Sequence, residues 1–163
     1  MNILVVDVGG TNVKVLATGQ PKRIKIPSGH ALTAADMAER VRAATAHWVY
    51  DVVSIGYPGP VRAGRPAEEP VNLGPGWVHF DYEAAFEHPV RVLNDAAMQA
   101  LGSYEGGRML FLGLGTGLGS ALIATGWRSR MVRLVRSGLP VLERWALKGP
   151  SMARRAPGTF SIR

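Results

Sequence analysis

The hydrophobic and polar positions fall into short runs whose period changes along the chain. NILVVDVG (residues 2–9) is a brief apolar run rich in β-branched side chains, which predicts a buried strand. GGTN follows as a turn, VKVLAT (13–18) reads as the returning strand, and KRIKIP (22–27) alternates as a third, edge-type strand. The period becomes helical in TAADMAERVRAATAHW (33–48). There Met37, Val41 and Ala44 recur on one face, Thr33 stands at the cap and Asp36 at the capping-box position. DVVSIGYP (51–58) is a fourth strand, and the Pro/Gly-rich residues 58–76 read as loop. YEAAFE predicts a short helix, VRVLND (90–95) a fifth strand, and AAMQALGSYEG a helix ended by Gly106 and Gly107. Two further strands are expected at 109–113 and 119–125.

The order βββαβαβα, then ββ, predicts an α/β fold with one mixed sheet and helices on its faces. That unit closes near Gly107, and the following hairpin looks like the start of a second unit of the same kind. The expected division is 1–107, 108–126 and 127–163.

Charge sharpens the last boundary. The chain of 163 residues carries a net +7, but residues 1–126 sum to −1 and residues 127–163 to +8. The basicity is therefore no sign that the folded part binds nucleic acid, and no specific nucleic-acid partner is expected. The absence of Cys excludes disulfides, thiolate metal sites and a Cys nucleophile. The four His are scattered, which argues against a His metal site. No basic n-region or cleavage motif follows Met1, so a cytoplasmic protein without a signal peptide is expected. Residues 109–127 lack charge over 19 positions, yet five are Gly, so two buried strands explain them better than a membrane span.

Three stretches carry candidate chemistry. In DVGGTNVK, Asp7 ends a buried strand, where ligands approach α/β sheets. Gly9 and Gly10 let backbone N–H groups face a phosphate, while Thr11, Asn12 and Lys14 add donors. The Asp7 carboxylate suits Mg²⁺, directly or through water. The same residues also make an ordinary hairpin turn. GLGTGLGS (113–120) fails the dinucleotide spacing, because Leu118 stands where a Gly is required. What remains is a second Gly-Thr-Gly hairpin turn, so a phosphate chain could be gripped between the two. In LNDAAMQALG, Asp95 lies where a strand becomes a helix. It is either an N-cap or a general base for a substrate hydroxyl, with Asn94 holding the same substrate. Trp48 and Trp77 read as packing residues, with a sugar platform as the alternative for Trp77.

Taken together and in order, these motifs resemble the ROK sugar kinases, and within them glucokinases of the polyphosphate type. DVGGTNVK resembles the first phosphate motif, GYPGPV (56–61) the family's GxPGxV, and NLGPGW (72–77) its sugar-side loop. LNDAAMQALG carries the Asn-Asp pair, and LGLGTGLGSALI is similar to the second phosphate motif. The resemblance covers residues 2–126. It implies a ribonuclease H-like first domain of the actin/hexokinase superfamily, followed by the opening hairpin of a second domain. It also implies phosphoryl transfer from ATP or polyphosphate, with Mg²⁺, to the 6-hydroxyl of a hexose. Asp95 would be the base and Asn94 and Asn72 the sugar contacts. Asp7, Gly9, Gly10, Thr11, Lys14, Gly115, Thr116 and Gly117 would line the phosphates, with Asp7 at the metal.

The family pattern ends near Gly126. The acidic-Leu-Gly-His element expected next is missing: no His follows His88, and Glu143 is the one acid after Glu105. Such a break is what a truncation or frameshift produces, and it predicts an impaired enzyme. In its place Met131, Leu134, Val135 and Leu139 would share one face of a basic helix. The last dozen residues look disordered. Leu110, Leu112, Leu122 and Ile123 of the hairpin would then lack partners, favouring a homodimer or self-association through an exposed edge. Two other readings follow: a non-catalytic sugar- or phosphate-binding remnant, and an anion-binding protein acting through its basic end.

Overall fold

The computed structural model describes residues 1–114, 118–126, 129–133, 153–156 and 159–162. They divide into two compact units, Met1–Asp95 and Ala96–Arg163.

The first unit is built on strands β1 (Ile3–Val8), β2 (Asn12–Ala17), β3 (Ile24–Pro27), β4 (Val52–Tyr57) and β7 (Val90–Asn94). Their order in the sheet is β3-β2-β1-β4-β7. β1 and β4 pair in parallel, as do β4 and β7, while β2 and β3 run antiparallel. Side chains alternate across a strand, and the register stacks Leu4, Val6, Val8, Val13, Val15, Val53, Ile55 and Val92 on one face. Helices α1 (Ala34–Ala44) and α2 (Tyr82–Phe86) cover this face with Met37, Val41, Tyr82 and Phe86, forming one buried core. Thr33 caps α1 and forms the expected capping box with Asp36.

Several boundaries differ from those read in the sequence. α1 stops at Ala44 rather than continuing to Trp48: Thr45 is its C-cap, with the backbone at φ −113° and ψ 14°, and the Thr45 hydroxyl donates to the Val41 carbonyl. Residues 58–76 are not all loop. β5 (Val61–Arg62) and β6 (Arg65–Pro66) form a small hairpin, with Ala63 at φ 51° and Gly64 at φ 75°. Two positive φ values match a type I′ turn, whose strands are too short to show an alternation. α3 (Asp95–Gly102) ends before Gly106, where Ser103 turns its N–H and hydroxyl onto the Gln99 carbonyl.

The second unit contains α3 after its first residue and an antiparallel sheet ordered β10-β9-β8-β12-β11. Its strands are β8 (Met109–Leu114), β9 (Leu118–Gly126), β10 (Ser129–Arg133), β11 (Ala153–Ala156) and β12 (Thr159–Ile162). The basic helix expected around Met131 is instead strand β10, paired to β9; Leu134, Val135 and Leu139 lie outside the described residues. The end of the chain, expected to be disordered, contributes β11 and β12, and β12 pairs with β8. The physical reason is the hairpin itself, whose two edges present unpaired N–H and C=O groups that adjoining chain can satisfy. The hairpin edge invoked for self-association is thus occupied from within the chain. Leu112 and Ile123 are buried, Leu110 is half-buried, and Leu122 is 37% exposed. Ala96, Ala97, Ala100, Met109, Phe111, Ala121 and Ile123 form this unit's core. Among the described residues no helix is long and apolar enough to cross a membrane.

Candidate functional site

Three parallel strands, β1, β4 and β7, bring their carboxyl ends to one edge of the first unit. Open α/β sheets take ligands at such an edge. The register puts Asp7 opposite Gly56, and Gly56 opposite Leu93. Asp7 and Leu93 thus share the face opposite the core, two strand spacings or about 10 Å apart. The residue between them has no side chain. Asp95 follows two residues after Leu93 and opens α3. It lies within the first turn of that helix. A carboxylate there is favoured by the helix dipole.

Asp7 faces Lys14 across the β1–β2 pair, with Nζ 3.1 Å from Oδ2. The Asp7 side chain keeps 20% of its exposure and that of Lys14 keeps 43%. Beyond this pair the chain turns. The Gly9 N–H donates to the Asn12 carbonyl at 3.1 Å, and a Cβ on Gly9 would sit 2.9 Å from that oxygen. Ser28 braces the turn from the end of β3: its N–H donates to the Thr11 carbonyl at 3.0 Å and its hydroxyl donates to the Gly9 carbonyl. Among the described residues none accepts from the N–H of Gly10 or Thr11. Thr11 is exposed and Gly10 half-buried, so these donors remain available at the surface. They are what an anion-binding turn requires.

Asn72 comes to this turn from a clamped loop. Leu73 and Trp77 are buried, the Trp77 indole donates to the Gly74 carbonyl at 2.8 Å, and the Gly74 N–H donates to the Leu32 carbonyl at 2.9 Å. The Glu69 carboxylate accepts from the backbone N–H of Trp77 at 3.1 Å and of Val78 at 3.2 Å. Asn72 itself is exposed, and its Cβ lies 3.2 Å from where a Gly10 Cβ would be. With no exposed surface, Trp77 is no sugar platform; its ring packs 5.8 Å from that of Tyr57. Tyr57 and Tyr82 donate to the carbonyls of Glu68 and Trp77. Burial pushes both hydroxyls well above the ordinary tyrosine range, and the neighbouring Glu69 adds to each shift.

Asn94 closes the third side: its Nδ2 donates to the Gly59 carbonyl at 3.1 Å, joining β7 to the GxPGxV-like loop. Gly59 is obligatory there, since a Cβ would lie 2.7 Å from the Tyr57 ring. Gly115, Thr116 and Gly117 lie outside the described residues. The structure thus brings Asp7, Gly9, Gly10, Thr11, Lys14 and Asn72 around one turn, with Asn94 and Asp95 at the carboxyl end of β7, two strands from β1. Ser28 and Glu69 were missed in the sequence, where nothing marks a serine or a glutamate whose partners are eight or more residues away.

The donor set fits Mg²⁺ of the kind that needs one carboxylate and completes its shell with water and substrate phosphate. Asp7 would supply that carboxylate. Among the described residues no group of three or more His, Cys, Asp or Glu could hold a metal by itself.

No protein-family profile matches this sequence, and no curated protein matches it significantly. Solved structures do match. A protein described as a sugar kinase from Cytophaga hutchinsonii superimposes with a TM-score of 0.60 at 24% identity, over 85% of this chain and 51% of its own. A ROK hexokinase from Thermus thermophilus gives 0.57 at 23% identity, over 84% and 49%. A glucokinase from an Antarctic psychrotroph gives 0.58 at 18% identity, over 90% and 55%. The chain spans about half the length of each of these proteins. Its α/β architecture is the fold that these three solved structures share.

Proposed function

We propose that this chain is a sugar kinase of the ROK type, closest in character to a glucokinase. It would transfer a phosphoryl group from ATP or polyphosphate to the 6-hydroxyl of a hexose in the cytoplasm. The observation that carries this reading is the register of β1, β4 and β7, which puts Asp7 and Leu93 on one face with Gly56 between them, Asp95 following directly after β7 at the same sheet edge. The spacing of about 10 Å between the outer two strands leaves room for a sugar hydroxyl and a phosphoryl group.

In this reading Asn72 and Asn94 orient the sugar. Asp95 accepts the proton of the 6-hydroxyl while that oxygen bonds to the terminal phosphorus. The bond from phosphorus to the bridging oxygen breaks, and ADP or a shortened polyphosphate leaves. The amides of Gly10 and Thr11, the turn-forming Gly9 and the Lys14 ammonium hold the donor. Mg²⁺ at Asp7 would neutralise phosphate charge. Positioning and electrostatics supply most of the acceleration in such transfers. Residues 1–107 would carry the base, the sugar contacts and the first phosphate motif, and 108–126 the second.

The test is ³¹P NMR of the protein with glucose, Mg²⁺ and either donor. Hexose 6-phosphate should form, and Asp95→Asn should slow it by about 10²–10⁴-fold. A rate untouched by that substitution removes Asp95 from the mechanism.

A further inference from the structure

We infer that Ser28 is a positioning residue that aims the Gly10 amide at the donor phosphate. The inference rests on the phosphate-binding reading of the turn and concerns what makes that turn competent. A trans peptide is planar, so its C=O and the following N–H point in opposite directions. The Ser28 hydroxyl binds the Gly9 carbonyl, which belongs to the same peptide unit as the Gly10 N–H. Fixing that carbonyl toward β3 turns the Gly10 N–H the other way, off the strand. The Ser28 backbone N–H holds the next carbonyl but one, that of Thr11, at 3.0 Å. One residue thus restrains two of the peptide units that make the turn.

Neither Gly9 nor Gly10 has a positive φ. The turn therefore needs no left-handed backbone, and its glycines serve close approach: Gly9 to the Asn12 carbonyl and Gly10 to Asn72. Glycine is also the residue with the most conformational freedom. A Gly-Gly peptide left unbraced would rotate among several orientations, and a phosphate would have to select one of them. The Ser28 hydroxyl removes that freedom before the ligand arrives, which is how preorganisation raises affinity.

The test uses the whole chain and tripolyphosphate as the probe, with ¹⁵N-resolved amide shifts as the readout. In the wild type, tripolyphosphate should move the Gly10 and Thr11 resonances. Ser28→Ala should weaken this binding by up to about tenfold, the equivalent of one net hydrogen bond. It should leave glucose-induced shifts at Asn72 nearly unchanged and lower the melting transition by only a few degrees, as the loss of one hydrogen bond does. Ser28→Thr, which keeps the hydroxyl, should restore the affinity. Equal tripolyphosphate affinity in wild type and Ser28→Ala, with the same Gly10 shift, overturns the role of Ser28 while leaving the phosphate turn intact. Failure of tripolyphosphate to move Gly10 or Thr11 in the wild type overturns both.

Discussion

The Cβ of Asn72 lies 3.2 Å from the point that a Cβ on Gly10 would occupy. The phosphate-type turn between β1 and β2 and the loop between β6 and α2 therefore meet at a residue without a side chain. This contact puts the two ends of the proposed reaction side by side: uncommitted amides on one partner, an exposed carboxamide on the other.

Gly10→Ala tests that contact. The φ of Gly10 is not positive, so alanine brings no backbone strain there, but the added methyl must push Asn72 back by a few tenths of an ångström. Glucose affinity should fall several-fold by calorimetric titration, with a stability change within about 1 kcal/mol, the middle of the range for point substitutions. Unchanged glucose affinity would show that Asn72 does not contact the sugar.

Lys14 and Asp7 are partly exposed, so their ion pair should add little to stability, under about 1 kcal/mol. Its effect on ligands should be larger. Lys14→Met frees the Asp7 carboxylate and should tighten Mg²⁺ binding while weakening tripolyphosphate binding. Mg²⁺ titration followed at the Asp7 amide checks this, and looser Mg²⁺ binding in the variant would contradict it.

The buried hydroxyls of Tyr57 and Tyr82 give a pH dependence. Their folded-state pKa values are raised, chiefly by burial. Their contribution is fully present below the unfolded tyrosine value of about 10 and is lost as pH climbs above it, because the folded state resists ionisation. Thermal melts should show stability falling above that pH. Tyr57→Phe with Tyr82→Phe should flatten the alkaline slope while lowering stability near neutrality, through loss of the bonds to Glu68 and Trp77.

Ala63 holds φ 51° in the turn between β5 and β6. A side chain is unfavourable in that conformation, and Ala63→Gly should stabilise the chain by about 1 kcal/mol. Denaturant unfolding with an unchanged m-value checks it. A destabilisation would show that the turn does not hold that conformation in solution.

The parts of the fold visible in the sequence are those whose pattern is local. Leu4, Val6 and Val8 alternate, Thr33 and Asp36 stand three residues apart, and both features are where the pattern puts them. The order of the glycine turns and the Asn94–Asp95 pair likewise pointed to the fold that the solved kinases share. What escaped depends on partners distant in sequence. Ser-Arg-Met-Val-Arg has no strand signature of its own and becomes β10 through pairing with β9. Arg65–Pro66 is a strand because Val61–Arg62 is opposite it. Ser28 acts on carbonyls 17 and 19 residues before it, and Glu69 on amides eight and nine residues after it. Motif spacing carries none of these.

The most direct measurement is amide shift mapping of the whole chain with glucose and, separately, tripolyphosphate. The account predicts that glucose moves Asn72, Asn94 and Asp95, that tripolyphosphate moves Gly10 and Thr11, and that 0.5 M salt leaves the glucose shifts in place. Glucose shifts elsewhere or none at all, with tripolyphosphate moving only resonances of the basic residues 127–163 and releasing with salt, would contradict it.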